Sequence, residues 1–259
     1  MNYQDFLNSL HLTQTERIEI ERKTLGQRTN QTWFQERYGR ITASQCSTYL
    51  DHKHDTVSLS EWTGNVCLKK DQKKKTSMFF KATQWGIKHE ETAKNVYKID
   101  RRDIVMQECG LIVSECGRLG CSPDSIIRNT VTNESYLLEI KCPYRAKSYP
   151  SLRKAAESLP GFYLREMTCG SMHRKMALDT SSRIGRSYYH QIMLSMYLTG
   201  LKYCDFVVWI PKDIIIIRID WDPDWAHQNV NVLTSAWDKY IGRRLHYNKV
   251  ARRNSSLTS

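Results

Sequence analysis

Apolar positions recur along the chain with two periods, and the change of period marks the elements. Residues 15–28 form a charged, amphipathic stretch in which Ile18, Ile20 and Leu25 are the sparse apolar positions, and they read as a helix. A short helix over 32–38 carries Trp33 and Phe34 and stops at Gly39. Thr42-Ala43-Ser44-Gln45 places a hydroxyl residue three positions before a glutamine, the capping-box pattern, which predicts a helix from there to about Leu50. The stretch that follows holds the lysine-rich run 69–75, too charged to be core. A longer helix over 79–98 offers Ala82, Trp85, Ala93, Val96 and Tyr97 for burial. Beyond it the period shortens, and 104–113, 119–128 and 136–142 read as three strands separated by turn residues. Residues 187–200 return to a helical pattern through Tyr188, Ile192, Met196 and Leu198. The runs 206–210 and 214–219 flank Pro211-Lys212-Asp213 as a hairpin, and a final helix covers 223–247.

These elements predict an α/β fold, a central mixed β-sheet flanked by helices, in one domain over 1–259. Residues 1–29 form an N-terminal helical extension, and 248–259 a polar tail. Residues 145–187 fit no period and read as an irregular connection. They hold nine basic residues (Arg145, Lys147, Arg153, Lys154, Arg165, Arg174, Lys175, Arg183 and Arg186) against Glu157, Glu166 and Asp179.

Charge sharpens this picture. Lysine plus arginine number 39 against 27 aspartates and glutamates, a net charge of +12, which fits a polyanionic partner such as nucleic acid or an anionic membrane surface. None of the eight cysteines stands in a Cys-x-x-Cys pair, so neither a zinc ribbon nor a thioredoxin-type site is indicated. No signal peptide is recognisable, and no segment approaches the roughly 20 apolar residues of a membrane span. The expected setting is intracellular and reducing, cytoplasm or nucleus.

The chemistry concentrates in Ser122-Pro123-Asp124 and in Leu137-Leu138-Glu139-Ile140-Lys141-Cys142-Pro143. Side chains alternate across a strand, so Glu139 and Lys141 project from one face. If 119–128 and 136–142 pair as a hairpin, Asp124 approaches Glu139. Two carboxylates at one sheet edge make a hard, oxygen-rich site of the kind Mg²⁺ or Mn²⁺ selects. Such an ion suits phosphodiester hydrolysis, and a neighbouring lysine can offset charge developing on the phosphoryl oxygens. An isolated Glu-x-Lys is usually a surface ion pair. Here the pair lies in a hydrophobic strand, where unpaired charge is costly.

An aspartate followed by Glu-x-Lys on the next strand resembles the PD-(D/E)XK nucleases, in detail the branch of phage lambda exonuclease and the YqaJ-type viral recombinases. Four blocks carry the resemblance in order: Trp33 with Arg37-Tyr38-Gly39-Arg40-Ile41-Thr42-Ala43-Ser44; Trp85-Gly86-Ile87-Lys88-His89-Glu90; Cys121-Ser122-Pro123-Asp124; and Leu138-Glu139-Ile140-Lys141-Cys142-Pro143. Gln191 with Ser195-Met196 is a fifth. It spans about residues 30–210 and implies a PD-(D/E)XK restriction-endonuclease-like core.

By the same resemblance, Asp124 and Glu139 are metal ligands helped by the Ile140 carbonyl, with Glu90 reaching the site from its helix. Lys141 is the catalytic lysine, with Gln191 beside it; His89 is a bystander. Arg37 and Ser44 hold a 5′ phosphate. Lys147, Arg153 and Lys154 are further candidate DNA contacts, chosen for their place in the basic connection. The implied cofactor is Mg²⁺, replaceable by Mn²⁺, with two ions per site. The implied activity is 5′-to-3′ exonuclease digestion of linear, 5′-phosphorylated duplex DNA to mononucleotides, leaving 3′ tails for recombination. A homotrimer and a single-strand annealing protein are the implied partners. The connection from Cys142 to Gln191 is longer than in the phage enzyme, and the segment before Asn30 has no counterpart there. An endonuclease with the same site, a DNA-binding module without catalysis and, more distantly, a membrane-surface role are the alternatives.

Overall fold

The computed structural model describes residues 1–51, 59–61, 63–64, 77–169 and 173–255. The chain opens with helices α1 (Tyr3–Asn8) and α2 (Gln14–Lys23), the second started by a complete capping box between Thr13 and Glu16. A 3₁₀ turn at Gln27–Thr29 leads to α3 (Gln31–Arg37), then β1 (Ile41–Thr42) runs directly into α4 (Ala43–Asp51). The long helix α5 (Ser77–Lys98) precedes five strands: β2 (Ile104–Gln107), β3 (Ile112–Val113), β4 (Leu119–Cys121), β5 (Ser125–Asn129) and β6 (Ser135–Lys141). Helix α6 (Leu152–Ser158) comes before the hairpin β7 (Leu164–Cys169) and β8 (His173–Leu178). Helix α7 (Arg183–Thr199) comes before the hairpin β9 (Tyr203–Ile210) and β10 (Asp213–Asp220). Helix α8 (Pro223–Trp237), a π turn at Asp238–Gly242 and α9 (Arg243–Ser255) complete the described chain.

The main sheet has the order β10-β9-β6-β5-β2; β6 runs parallel to β9 and the other pairs are antiparallel. Strand β6 sits in the middle and is buried on both faces from Tyr136 to Ile140, which is why it reads as a near-continuous apolar run. Tyr136, Leu138 and Ile140 pack with Ala93 and Tyr97 of α5. Leu137 turns the other way into the larger core with Ile192, Met193 and Met196 of α7. By alternation Glu139 and Lys141 share the face of Leu137. The fold is thus the mixed α/β arrangement that the patterning predicts.

Three expectations need correction. The strands expected at 104–113 and 119–128 each break in two, and the halves belong to different sheets: β2 and β5 to the main one, β3 and β4 to a small one ordered β1-β4-β3. Pro123 has no N–H to give a ladder, so the second break falls at Ser122-Pro123-Asp124. The described residues of 145–187 form regular elements, among them α6, β7 and β8, rather than an irregular connection. Most of their hairpin is solvated, and only its base, at Leu164, Met176 and Leu178, is buried, so no alternation is visible in sequence. The final helix is interrupted by the π turn and extends to Ser255. The lysine run at 69–75 lies outside the described residues. Among those described, six cysteines are free, and no helix is long and apolar enough to cross a membrane.

The N-terminal extension is built into the fold rather than appended to it. The buried Thr24 hydroxyl donates to the Ile20 carbonyl (2.6 Å) and accepts from the Leu111 N–H (2.7 Å). The Gln27 carboxamide donates to two carbonyls, Cys109 (3.0 Å) and Pro123 (2.8 Å), and so ties both breaks between the sheets to the extension. Gly110 lies so close beneath α2 that an added Cβ would fall 2.0 Å from the Glu21 carbonyl oxygen. Gly110→Ala is therefore expected to lose about 1–3 kcal/mol by overpacking, read as a lower midpoint in urea; an unchanged midpoint contradicts this docking. Gln27→Ala leaves two carbonyls without their donor and is expected to lose a similar ~1–3 kcal/mol. Wild-type stability in that variant would show that Gln27 braces nothing.

Candidate active site

The break between β4 and β5 sets the site. Because Ser125 lies opposite Leu138 in the β5–β6 ladder, Asp124 arrives at the level of Glu139 and Ile140. Its Oδ2 accepts the Ile140 N–H at 2.6 Å, which fixes the carboxylate against the end of β6. Glu139 is only 5% exposed, and a carboxylate at that depth must be partnered. Its Oε1 accepts from Lys141 Nζ at 2.5 Å and from Gln191 Nε2 at 2.6 Å. Gln191 reaches down from α7, where Tyr188, one turn earlier, sets its ring 4.8 Å from the Lys141 ammonium. Tyr188 was not singled out in sequence as a site residue; its helical spacing from Gln191 was the available signal.

The charges do not balance locally. Burial pushes the Asp124 carboxyl well above the usual range, and the charges of Glu139 and Glu90 push it the same way; Lys141 and the Ile140 N–H oppose them without prevailing. Burial works against the Lys141 ammonium, but Glu139, Tyr188 and Asp124 outweigh it and raise its pKa above that of a free lysine. A corner that holds its lysine charged while one carboxylate still repels another lacks positive charge. The donors facing it are carboxylate and carbonyl oxygens, a set suited to a hard divalent cation. Asp124, Glu139 and the Ile140 carbonyl are the groups that could hold one. Among the described residues no three acidic, histidine or cysteine side chains cluster around one point. Glu90, on α5 at the edge of the same cleft, is ion-paired with Lys94 at 3.1 Å. His89 packs its ring against Trp85 (3.9 Å) and Trp209 (5.4 Å) and does not line the cleft.

The cleft, about 980 Å³, also takes in Arg37 and Ser44. Arg37 stacks over the Trp33 ring at 4.1 Å and donates to the Thr42 hydroxyl at 3.2 Å. That hydroxyl lies 3.4 Å from the exposed Ser44 hydroxyl. Trp33 in turn donates to Ser122, two positions before Asp124, at 2.8 Å. The start of α4 is thus linked through side chains to the acidic corner. The capping box expected there is half formed. The Gln45 carboxamide accepts from the Thr42 N–H (3.4 Å), but the Thr42 hydroxyl also donates to that carboxamide (2.9 Å), so the hydroxyl is turned to side chains.

Of the three basic residues chosen in the 145–187 region, Lys147 lines the cleft, with Nζ 3.9 Å from the Tyr144 ring. Arg153 pairs with Glu166, and Lys154 with Glu157 at 2.7 Å; neither is part of the cleft wall. Arg28 is part of the wall and was not anticipated. It lies in the segment before Asn30 for which no counterpart was seen, so no motif pointed to it.

The chain is similar to known proteins in sequence family and in fold. No curated protein matches the chain significantly. Among solved structures, an alkaline exonuclease from Laribacter hongkongensis superimposes with a TM-score of 0.56 at 19% identity, covering 87% of this chain and 98% of that one. A KSHV SOX–RNA complex gives 0.57 at 12% identity, with coverage of 92% and 75%. A phage-related exonuclease from Haemophilus somnus gives 0.53 at 12% identity, with coverage of 80% and 96%. These likenesses show a shared fold, that of the PD-(D/E)XK nucleases. The YqaJ-like viral recombinase domain is matched over residues 32–202, a stretch that includes every acidic and basic group of the corner described above. The chain belongs to the YqaJ-like viral recombinase domain family.

Proposed function

We propose that this protein is a divalent-metal-dependent nuclease that digests the 5′ strand of linear duplex DNA. The observation that carries the reading is one cleft holding both the Asp124–Glu139–Lys141–Gln191 corner and the Arg37–Thr42–Ser44 group. An alkaline exonuclease of the same fold, solved also in complex with dAMP, and a SOX–DNA complex of that fold support it.

The geometry supports the following roles. Asp124, Glu139 and the Ile140 carbonyl would hold Mg²⁺ or Mn²⁺, with Glu90 of α5 a further carboxylate on the wall of the same cleft. Bound there, the ion supplies Lewis-acid polarisation of the scissile phosphate and activation of the attacking water. Lys141, kept protonated by its carboxylate neighbours, presents N–H donors to the phosphoryl oxygens as charge builds on them. Gln191 donates to the same Glu139 oxygen as Lys141 and so helps fix where that carboxylate and its lysine sit. Arg37, already flattened on Trp33, offers a fork to a terminal phosphate, and Ser44, in the first turn of α4, adds an exposed hydroxyl at the positive end of that helix. Lys147 extends the positive wall along the cleft. An end-recognition group beside the corner favours an exonuclease over an endonuclease, and an intact acidic corner with its lysine favours catalysis over binding alone.

Asp124→Asn, Glu139→Gln and Lys141→Ala should each cut Mg²⁺-dependent hydrolysis by roughly a hundredfold or more while the proteins stay folded. Mg²⁺ should also raise the wild-type melting temperature, and Glu139→Gln should abolish that rise; a folded Glu139→Gln protein with near-normal turnover sinks the assignment. Calcium should support DNA binding with little hydrolysis, since its looser coordination positions water poorly.

End recognition has its own assay. A 5′-phosphorylated duplex should be digested at least about tenfold faster than a 5′-hydroxyl one, the effect of losing a charge-assisted contact. Arg37→Ala should remove most of that preference without removing the melting-temperature response to Mg²⁺. Equal rates on both ends with the unmutated protein would mean that no such pocket operates.

A further inference from the structure

Helix α5 forms a ridge between two depressions. Ala82, Thr83, Gly86 and Glu90 face the catalytic cleft, whereas Phe80, Lys81, Gln84, Trp85 and Lys88 line a second groove of about 310 Å³ on its other flank. Tyr144, three residues past Lys141, belongs to both walls. The groove is unusual in composition. Phe80 is 54% exposed, although aromatic side chains on a helix ordinarily pack inward. Trp85 and Tyr144 meet edge to face at 6.1 Å. The cations are set around these rings: Lys81 and Lys88 are exposed on the helix, and Lys147 Nζ lies 3.9 Å from the Tyr144 ring and 5.5 Å from that of Trp85.

We infer that this groove is a stacking platform for the unpaired bases of a single DNA strand. Aromatic faces flanked by lysines match the two parts of such a ligand, flat bases and a phosphate backbone. A duplex fits poorly, because its base faces are covered by their neighbours in the stack. Continuity through Tyr144 places the platform beside the corner, across the ridge from the strand being cut. This inference rests on the nuclease reading only for the source of the strand; the binding itself needs no hydrolysis.

The test is therefore run without divalent metal. A fluorescent oligothymidylate and an abasic phosphodiester oligomer of equal length and charge are titrated with the full-length protein. The wild type should bind the oligothymidylate about tenfold or more tightly than the abasic chain, since only the former can stack. Phe80→Ala and Tyr144→Ala should each shrink that ratio severalfold, and Tyr144→Phe, which keeps the ring, should retain it. Lys81→Glu combined with Lys88→Glu should weaken both ligands together and flatten the salt dependence. Thermal melts establish that each variant is folded. Equal wild-type affinity for the two oligomers, an undiminished ratio in both alanine variants, or equal competition by a blunt hairpin duplex would each overturn the platform. A protein that binds in this way yet hydrolyses nothing would defeat the nuclease reading and leave the platform standing.

Discussion

Glu139 is a carboxylate set in the middle of an apolar strand, and its burial constrains most of what surrounds it. A charge at that depth is tolerated only with partners of good geometry. Here they come from two directions: Lys141 two residues along the same strand face, and Gln191 from α7 packed over that face. The parallel pairing of β6 with β9 and the position of α7 over the sheet are therefore conditions for the site as well as features of the fold. Asp124 adds a second carboxylate, pinned by the Ile140 N–H, and leaves the corner short of positive charge. A hard cation held there, as proposed, would offset that imbalance.

Support for that corner reaches far along the chain. Asp124 stands where the backbone leaves the small sheet for the main one, a place that the Pro123 break makes irregular. Gln27 spans it from the N-terminal extension, and Trp33 fastens it through Ser122. The extension, which matched nothing recognisable, thus helps hold an aspartate nearly a hundred residues away. On the other side, α5 contributes Glu90 to the cleft edge while its neighbouring residues face a separate groove.

What could be read in the sequence depended on how local the signal was. The Glu139–Lys141 spacing, the helix carrying Gln191 and the long helix carrying Glu90 all rest on short-range periodicity, and the structure brings them to one place. The broken strands were missed because only short breaks, at 108–111 and 122–124, separate β2 from β3 and β4 from β5, and the sheet that each half joins is set by partners distant in sequence. The β7–β8 hairpin was missed for the opposite reason, since its solvated faces leave almost no apolar stripe to detect. Excess charge proved a weak guide to the cleft: Arg153 and Lys154 are neutralised by Glu166 and Glu157, whereas Arg28 and Lys147 line the wall. Pairing of that kind is tertiary information.

The central claim is that this corner hydrolyses one strand from a DNA end. The most direct measurement follows a linear duplex bearing a 5′ phosphate and a different label on each strand, incubated with Mg²⁺ beside a covalently closed circle of the same sequence. The account predicts mononucleotides released in order from the 5′-phosphorylated strand, a lengthening 3′ tail on its complement, and an untouched circle. Cutting of the circle at a rate comparable to the linear duplex, or an intact linear duplex after addition of Mg²⁺ or Mn²⁺, would contradict it.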